Sequence, residues 1–356
     1  MPTLLGHALI ASTHCWRGRG ICKRRKLWHR LVMLCLRALT FIAVVVFAAT
    51  TGAVAGGRIR LAVQKTGTLA WELDVIKTHG LDRKLDLEII PVELASPEAG
   101  KVALKGGSAD LILSDWLWVA RERSLGDALV FYPASSTLGA VMVPKASAIR
   151  EIADLRRRKL AVAGGPIDKS WLLLQALARR DGIDLKSEAT IVYGAPPLLS
   201  EKALQGETDA TLTYWNFCAE LESKGMRRAI PMETVMQGLG AKAAVAVIGY
   251  VFDNGFAQRN RAAVDRFLDA VRQAKDVLAT SDAEWRRLAP RIRVTDDATL
   301  AIYRTRYAEG IPRRPIAAEE EDARALFRVL AGINGGEFTG AAGELPPGTF
   351  YRPAAE

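Results

Sequence analysis

Past residue 55 the 356-residue chain holds a single cysteine, Cys218, and a single histidine, His79; the other three of each fall within the first 55. This scarcity excludes a disulfide framework and a Cys/His zinc constellation from the body of the protein. It also removes the histidine choices that a hydrolytic triad requires. The first 55 residues lack acidic side chains altogether, although they carry eight Lys and Arg. Their apolar run, residues 38–49, falls short of the roughly 20 residues of a comfortable transmembrane helix. What remains is an ordinary globular composition, 49% hydrophobic and 25% charged. That composition excludes disorder, a collagen-like repeat and a multi-span membrane protein. The length suffices for two packed lobes.

A formal net charge of +10 invites a nucleic-acid or anionic-membrane partner. The placement of the charge removes that inference. Basic residues from Arg17 to Arg37 precede the apolar run, and Ala53-Val54-Ala55 follows it. A basic n-region, a short apolar h-region and a small-x-small site describe a secretory signal peptide, cleaved after Ala55. The alternative is an uncleaved N-terminal anchor. Met33 is a second candidate start, since residues 33–55 alone make an adequate signal. Arg24-Arg25 fits a twin-arginine signal poorly, and Cys35 precedes the apolar run, so it is not the lipidated cysteine of a lipoprotein. Without the eight leader bases, 41 Lys+Arg face 39 Asp+Glu, a net charge of +2. A periplasmic protein with no nucleic-acid partner is expected.

From Arg58 onward short apolar strands alternate with helical segments, which argues α/β architecture. Strands are predicted over residues 59–63, 85–92, 111–113, 160–163, 189–193, 210–213 and 243–251. Helices are predicted over 69–78, 98–105, 151–157, 169–180 and 198–204. Val264, Phe267, Leu268, Val271, Ala274 and Leu278 recur at helical steps and define a buried face. His79, before Gly80, stands at a helix C-terminus, where histidine more often caps than catalyses. The Gly-rich tail after Gly332 reads as a surface extension.

The chain also echoes itself. Ala103-Leu104-Lys105-Gly106 followed by Asp110-Leu111-Ile112-Leu113 corresponds to Ala203-Leu204-Gln205-Gly206 followed by Asp209-Ala210-Thr211-Leu212. In each, glycine can end a helix in the left-handed conformation and Asp opens a buried strand. Two lobes of similar construction follow.

In open α/β sheets ligands bind beyond the carboxyl ends of strands, where loops and helix N-termini converge. Thr66, Gly67, Thr68 and Trp71 follow the first strand, and Ser114, Asp115 and Trp116 follow the third. Ser135 and Ser136 precede the passage into the second block. Gly164, Gly165, Lys169, Ser170 and Trp171 follow one strand of that block; Tyr214, Trp215 and Asn216 follow another. Trp71, Trp116 and Trp215 stand at strand-to-helix mouths, whereas Trp118 and Trp285 read as packing. Ser114 or Asp115 serves equally well as the cap of a helix beginning at Trp116. Lys169, in a first helical turn, opposes the helix dipole, so an anion beside it would explain its position. Residues 164–170 end in Lys-Ser, but Asp168 stands where a P-loop has glycine and the spacing is short, which excludes nucleotide hydrolysis. No carboxylate pair stands out for acid–base work.

Several segments together resemble a known family. They are Gly80-Leu81-Asp82-Arg83-Lys84-Leu85-Asp86-Leu87-Glu88, residues 106–110, Ile149-Arg150-Glu151-Ile152-Ala153-Asp154-Leu155 with Lys159-Leu160-Ala161-Val162-Ala163, and residues 203–210. Their order and spacing over residues 58–330 are similar to the solute-binding proteins of ABC importers, in the nitrate/sulfonate/taurine and thiamine-precursor group. The resemblance implies a type II periplasmic-binding fold, with two α/β lobes joined by crossovers near 141–144 and 242–247. Lobe 1 would comprise 56–143 and 245–330, lobe 2 residues 144–244, and 331–356 a Gly-rich extension. It implies a monomer that takes a small-molecule ligand to an ABC permease, with no metal or cofactor. In relatives, the loops corresponding to 164–170 and to Tyr214-Trp215-Asn216 face the ligand. Many relatives carry a Glu-Pro-type sequence at the second loop; the departure points away from nitrate or a simple sulfonate. Two other readings are an enzyme like the thiamine-pyrimidine synthases, which use histidine and a cysteine-rich loop with iron, and a membrane-tethered sensor.

Overall fold

The computed structural model describes residues 56–354, apart from Thr66, 335–338, 340 and 341. The expected leader, 1–55, and the candidate Thr66 lie outside the described residues. The strands are β1 Gly57–Val63, β2 Leu87–Glu93, β3 Leu111–Asp115, β4 Leu129–Ser135 and β5 Gly139–Pro144, then β6 Lys159–Ala163, β7 Thr190–Gly194, β8 Ala210–Tyr214, β9 Met226–Pro231 and β10 Ile248–Asp253. They form two five-stranded sheets, β2–β1–β3–β10–β4 and β7–β6–β8–β5–β9. In each sheet four strands share one direction and one, β10 or β5, runs antiparallel to both of its neighbours. The antiparallel strands are exchanged: β5 passes from the first half of the chain into the second sheet, and β10 returns to the first.

The internal repeat has a structural counterpart. The Asp110 carboxylate accepts from the Arg60 N–H at 2.7 Å, and Asp209 accepts from the Lys159 N–H at the same distance. Each aspartate thus pins the start of its own strand to the neighbouring one, fifty residues earlier in both cases. The left-handed residue differs from expectation in the first copy: Gly106 is right-handed and Gly107, with φ 70°, makes the turn.

Other boundaries also move, for physical reasons. The second strand starts at Leu87 rather than at residue 85, because Leu81–Lys84 closes a helical turn and Asp86 turns left-handed at φ 50°. Asp tolerates that conformation better than most residues. The segment 151–157 is only a 3₁₀ turn, Ile152–Leu155, closed by reciprocal capping between Glu151 and Asp154. Residues 243–247 are not strand; the Ala246 N–H is taken by the buried Glu319 carboxylate at 2.9 Å. β4 and β9 escaped the sequence reading. Both contain proline, and both are edge strands, where a missing N–H is tolerated.

The tail is not a surface extension. Leu345, Phe350 and Tyr351 are buried. Phe131 of β4 donates its N–H to Thr349 O and accepts from Tyr351 N–H, both at 2.8 Å. The tail covers backbone groups that an edge strand would otherwise expose. The Arg261–Thr280 helix buries Val264, Phe267, Leu268, Val271, Ala274 and Leu278 as its periodicity predicts. Among the described residues no helix is long and apolar enough to cross a membrane.

Candidate functional site

The carboxyl ends of β1, β3, β6 and β8 and the loops after them line one cleft of about 720 Å³. One wall comes from the first sheet, with Gly67, Thr68, Ser114, Asp115 and Ser135. The other comes from the second, with Gly164, Lys169, Ser170, Tyr214, Trp215 and Asn216. Topology makes this convergence: parallel strands end at the same edge, and each following helix points its N-terminus there.

The wall residues are fixed locally. Asp115 ends β3 and caps the Trp116–Ser124 helix, accepting the Trp118 N–H at 2.8 Å. Asp168 caps the Lys169–Arg180 helix, accepting from the amides of Ser170 at 2.9 Å and Trp171 at 3.3 Å. Gly164, at φ 83°, has no room for a side chain: a Cβ would lie 2.3 Å from the Tyr214 hydroxyl and 2.9 Å from Asp168 Oδ2. Burial pushes the Asp168 carboxyl above its ordinary range, against the pull of Lys169 and of its own amide donors. Burial and the Asp168 carboxylate likewise push the Tyr214 hydroxyl up.

Lys169 finds its anion on the opposite wall. Its Nζ lies 3.3 Å from Asp115 Oδ2, an ion pair between the Lys169–Arg180 helix of the second sheet and β3 of the first. The Asp115 charge raises the Lys169 pKa, with Asp168 adding to it and burial opposing. Deeper in the cleft lies a second pair. Glu72 Oε1 takes Lys275 Nζ at 2.5 Å and the Tyr307 hydroxyl at 2.7 Å, and Oε2 takes the Tyr250 hydroxyl at 2.9 Å. Both tyrosine hydroxyls are held well above their ordinary pKa by burial and by that carboxylate.

Not every expected residue reaches the cleft. Trp71 is buried in an aromatic block, with Trp215 at 5.9 Å and Trp285 at 6.1 Å between ring centroids. Trp116 packs on Phe327, and Trp171 is fully buried. Ser136 donates to Gly310 O, and neither it nor Gly165 lines the cavity. Trp118, read as packing, does line it, with Lys101 Nζ over its ring at 5.3 Å. Glu72, Glu98 and Lys275 were missed. The signal for Glu72 and Lys275 was a charge inside an apolar helical stripe, Glu72 between Leu69 and Ile76 and Lys275 between Val271 and Leu278. His79 lies elsewhere, at 3.1 Å from Glu284. Cys218 is buried and its thiol is pushed up to about 12. Among the described residues no group of His, Cys, Asp or Glu is arranged to hold a metal ion.

Two sheets that exchange one strand each, with a cleft at their carboxyl edges, define a mixed α/β protein of the periplasmic-binding type. The chain belongs to the NMT1/THI5-like family, which it matches over residues 82–284, more than half its length. No curated protein matches its sequence. Among solved structures it is similar to the alkanesulfonate-binding protein SsuA of Xanthomonas axonopodis pv. citri bound to MOPS. The TM-score is 0.63 at 19% identity, covering 84% of this chain and 100% of that one. The periplasmic aliphatic sulphonate-binding protein SsuA of Escherichia coli gives 0.60 at 20% identity, covering 75% and 90%. The desulfurization enzyme DszB gives 0.51 at 16% identity, covering 78% and 92%.

Proposed function

We propose that the protein is the periplasmic solute-binding component of an ABC importer. It captures a small organic solute between its two walls and delivers it to the permease. The observation that carries this reading is the 720 Å³ cleft, large enough for such a solute and lined from both sheets by polar groups and aromatic rings. Two walls on separate sheets suit capture by hinge closure, which would present a closed surface to the membrane partner. The expected lobes, 56–143 with 245–330 and 144–244, belong to this proposal, as do export by a leader, the monomeric state and the ligand set. Gly67, Ser114, Asp115, Ser135, Lys169, Ser170, Tyr214 and Trp215 are the residues of the expected set that the cleft brings together.

A second reading, catalysis, is favoured by the likeness to DszB, an enzyme on a similar fold. Against it, Cys218 is buried with a raised pKa, and His79 is engaged with Glu284 outside the cleft. A thermal-shift screen of the full chain against sulfonates, pyrimidines, amines and small carboxylates tests the two readings. A bound solute raises Tm with concentration, by the equivalent of about 2.7 kcal/mol at one hundred times Kd. Trp215→Ala is expected to weaken that response. A screen in which nothing shifts Tm while a substrate is turned over would overturn the transport reading.

A further inference from the structure

The charges lining the cleft differ in how freely they can move. Lys275 is sealed: its side chain is 9% exposed and lies against Glu72, which is 3% exposed. Lys101 rests on Trp118, and Arg121, although 45% exposed, pairs at 3.0 Å with Glu122, its neighbour in the chain. Lys169 is different. Its side chain is 33% exposed, whereas that of Asp115 is 5% exposed. Asp115 is fixed by the Trp118 amide, and Asp168 by the amides of Ser170 and Trp171. Here the acids are held by backbone amides, whereas the base is held by ion pairing, bridges the two walls and reaches solvent.

That asymmetry bears on which charge is accepted at this pair. An anion arriving at Lys169 would keep Asp115 and Asp168 as fixed near neighbours and be repelled by both. A cation needs only that Lys169 swing into water, where its flexible stem and strongly hydrated ammonium are at home. The aromatic rings of Tyr214 and Trp215 line the same cavity and suit a cation's apolar body. Resting on the solute-binding reading, we propose that the cleft selects an organic cation, an alkyl- or arylammonium or an amidinium, which takes the place of the Lys169 ammonium on Asp115.

Matched pairs of probes test this: benzylamine against benzenesulfonate and propylamine against propane-1-sulfonate, titrated calorimetrically into the full chain at neutral pH. The amine of a pair is expected to bind at least tenfold more tightly than its sulfonate. Lys169→Met, which removes the internal competitor, should tighten amine binding several-fold. Asp115→Asn, which retains a good capping side chain and so the fold, should weaken it at least tenfold. Circular dichroism and Tm of each variant without solute confirm that the fold is kept. A sulfonate that binds better than its amine and loses affinity on Lys169→Met would overturn the proposal. So would amine affinity indifferent to both variants. If neither amine binds but another solute of the wider screen does, cation selection falls and solute binding stands. If no solute of any class binds, both fall together.

Discussion

Two lysine–carboxylate pairs line the same cleft and teach opposite lessons. In Glu72–Lys275 both partners are buried, and two tyrosine hydroxyls complete the carboxylate's shell. Asp115–Lys169 spans the two walls, with one partner buried and the other a third exposed. The first cannot open without leaving a charge stranded in a low-dielectric interior. The second can open by moving one side chain. Similar chemistry serves architecture in one place and exchange in the other, and burial alone makes the difference.

Breaking the inner pair should have the largest effect. Lys275→Ala leaves Glu72 uncompensated and is expected to cost about 3–5 kcal/mol, read as a fall in the urea midpoint. Replacing both partners by apolar residues, Glu72→Leu with Lys275→Met, should recover part of that loss, because no stranded charge remains although the Tyr250 and Tyr307 hydroxyls lose their acceptor. If the single and double variants were equally unstable, the contrast between the pairs would be wrong. At the outer pair Asp115→Ala should cost about 1 kcal/mol, the worth of a lost helix cap. Asp115→Asn should cost only a few tenths.

Lys169→Met is expected to change stability by no more than about 1 kcal/mol, as for other partly exposed ion pairs. Its pH dependence gives the finest distinction. The Lys169 pKa is raised in the folded state, so its contribution is fully present below the ordinary lysine value of 10.5 and is lost as pH rises through the higher folded value. Alkaline unfolding curves of wild type and Lys169→Met should therefore converge at high pH. Curves that stayed parallel above pH 10.5 would remove the pair from the account.

The two pairs also mark what the sequence made legible. Lys169 stood out because a cation in a first helical turn opposes the dipole, and the structure supplies the anion that reading asked for. Its partner came from a strand some fifty residues away, on the other sheet. No local pattern connects them. Glu72 and Lys275 were written as charges inside apolar stripes, an irregularity that periodicity alone averages away. The parallel strands were readable from their apolar runs, and the repeat in Asp110 and Asp209 proved to be one hydrogen-bonding device used twice. The edge strands β4 and β9 were not readable, since proline and arginine interrupt the patterns that mark buried strands. The tail was misread because its composition signals a loop, whereas its role is set by the edge of β4, a tertiary feature. Among the aromatic candidates, position at a strand end proved insufficient. Trp71 and Trp116 turn into the core, while Trp118, two residues further along a helix, faces the cavity.

The most direct test is a crystal structure of the protein grown with benzylamine. The ligand ammonium is expected within hydrogen-bonding distance of the Asp115 carboxylate, with Lys169 swung away from it and the Glu72–Lys275 pair unchanged. A bound ligand with Lys169 still on Asp115 and the amine seated elsewhere would contradict this expectation.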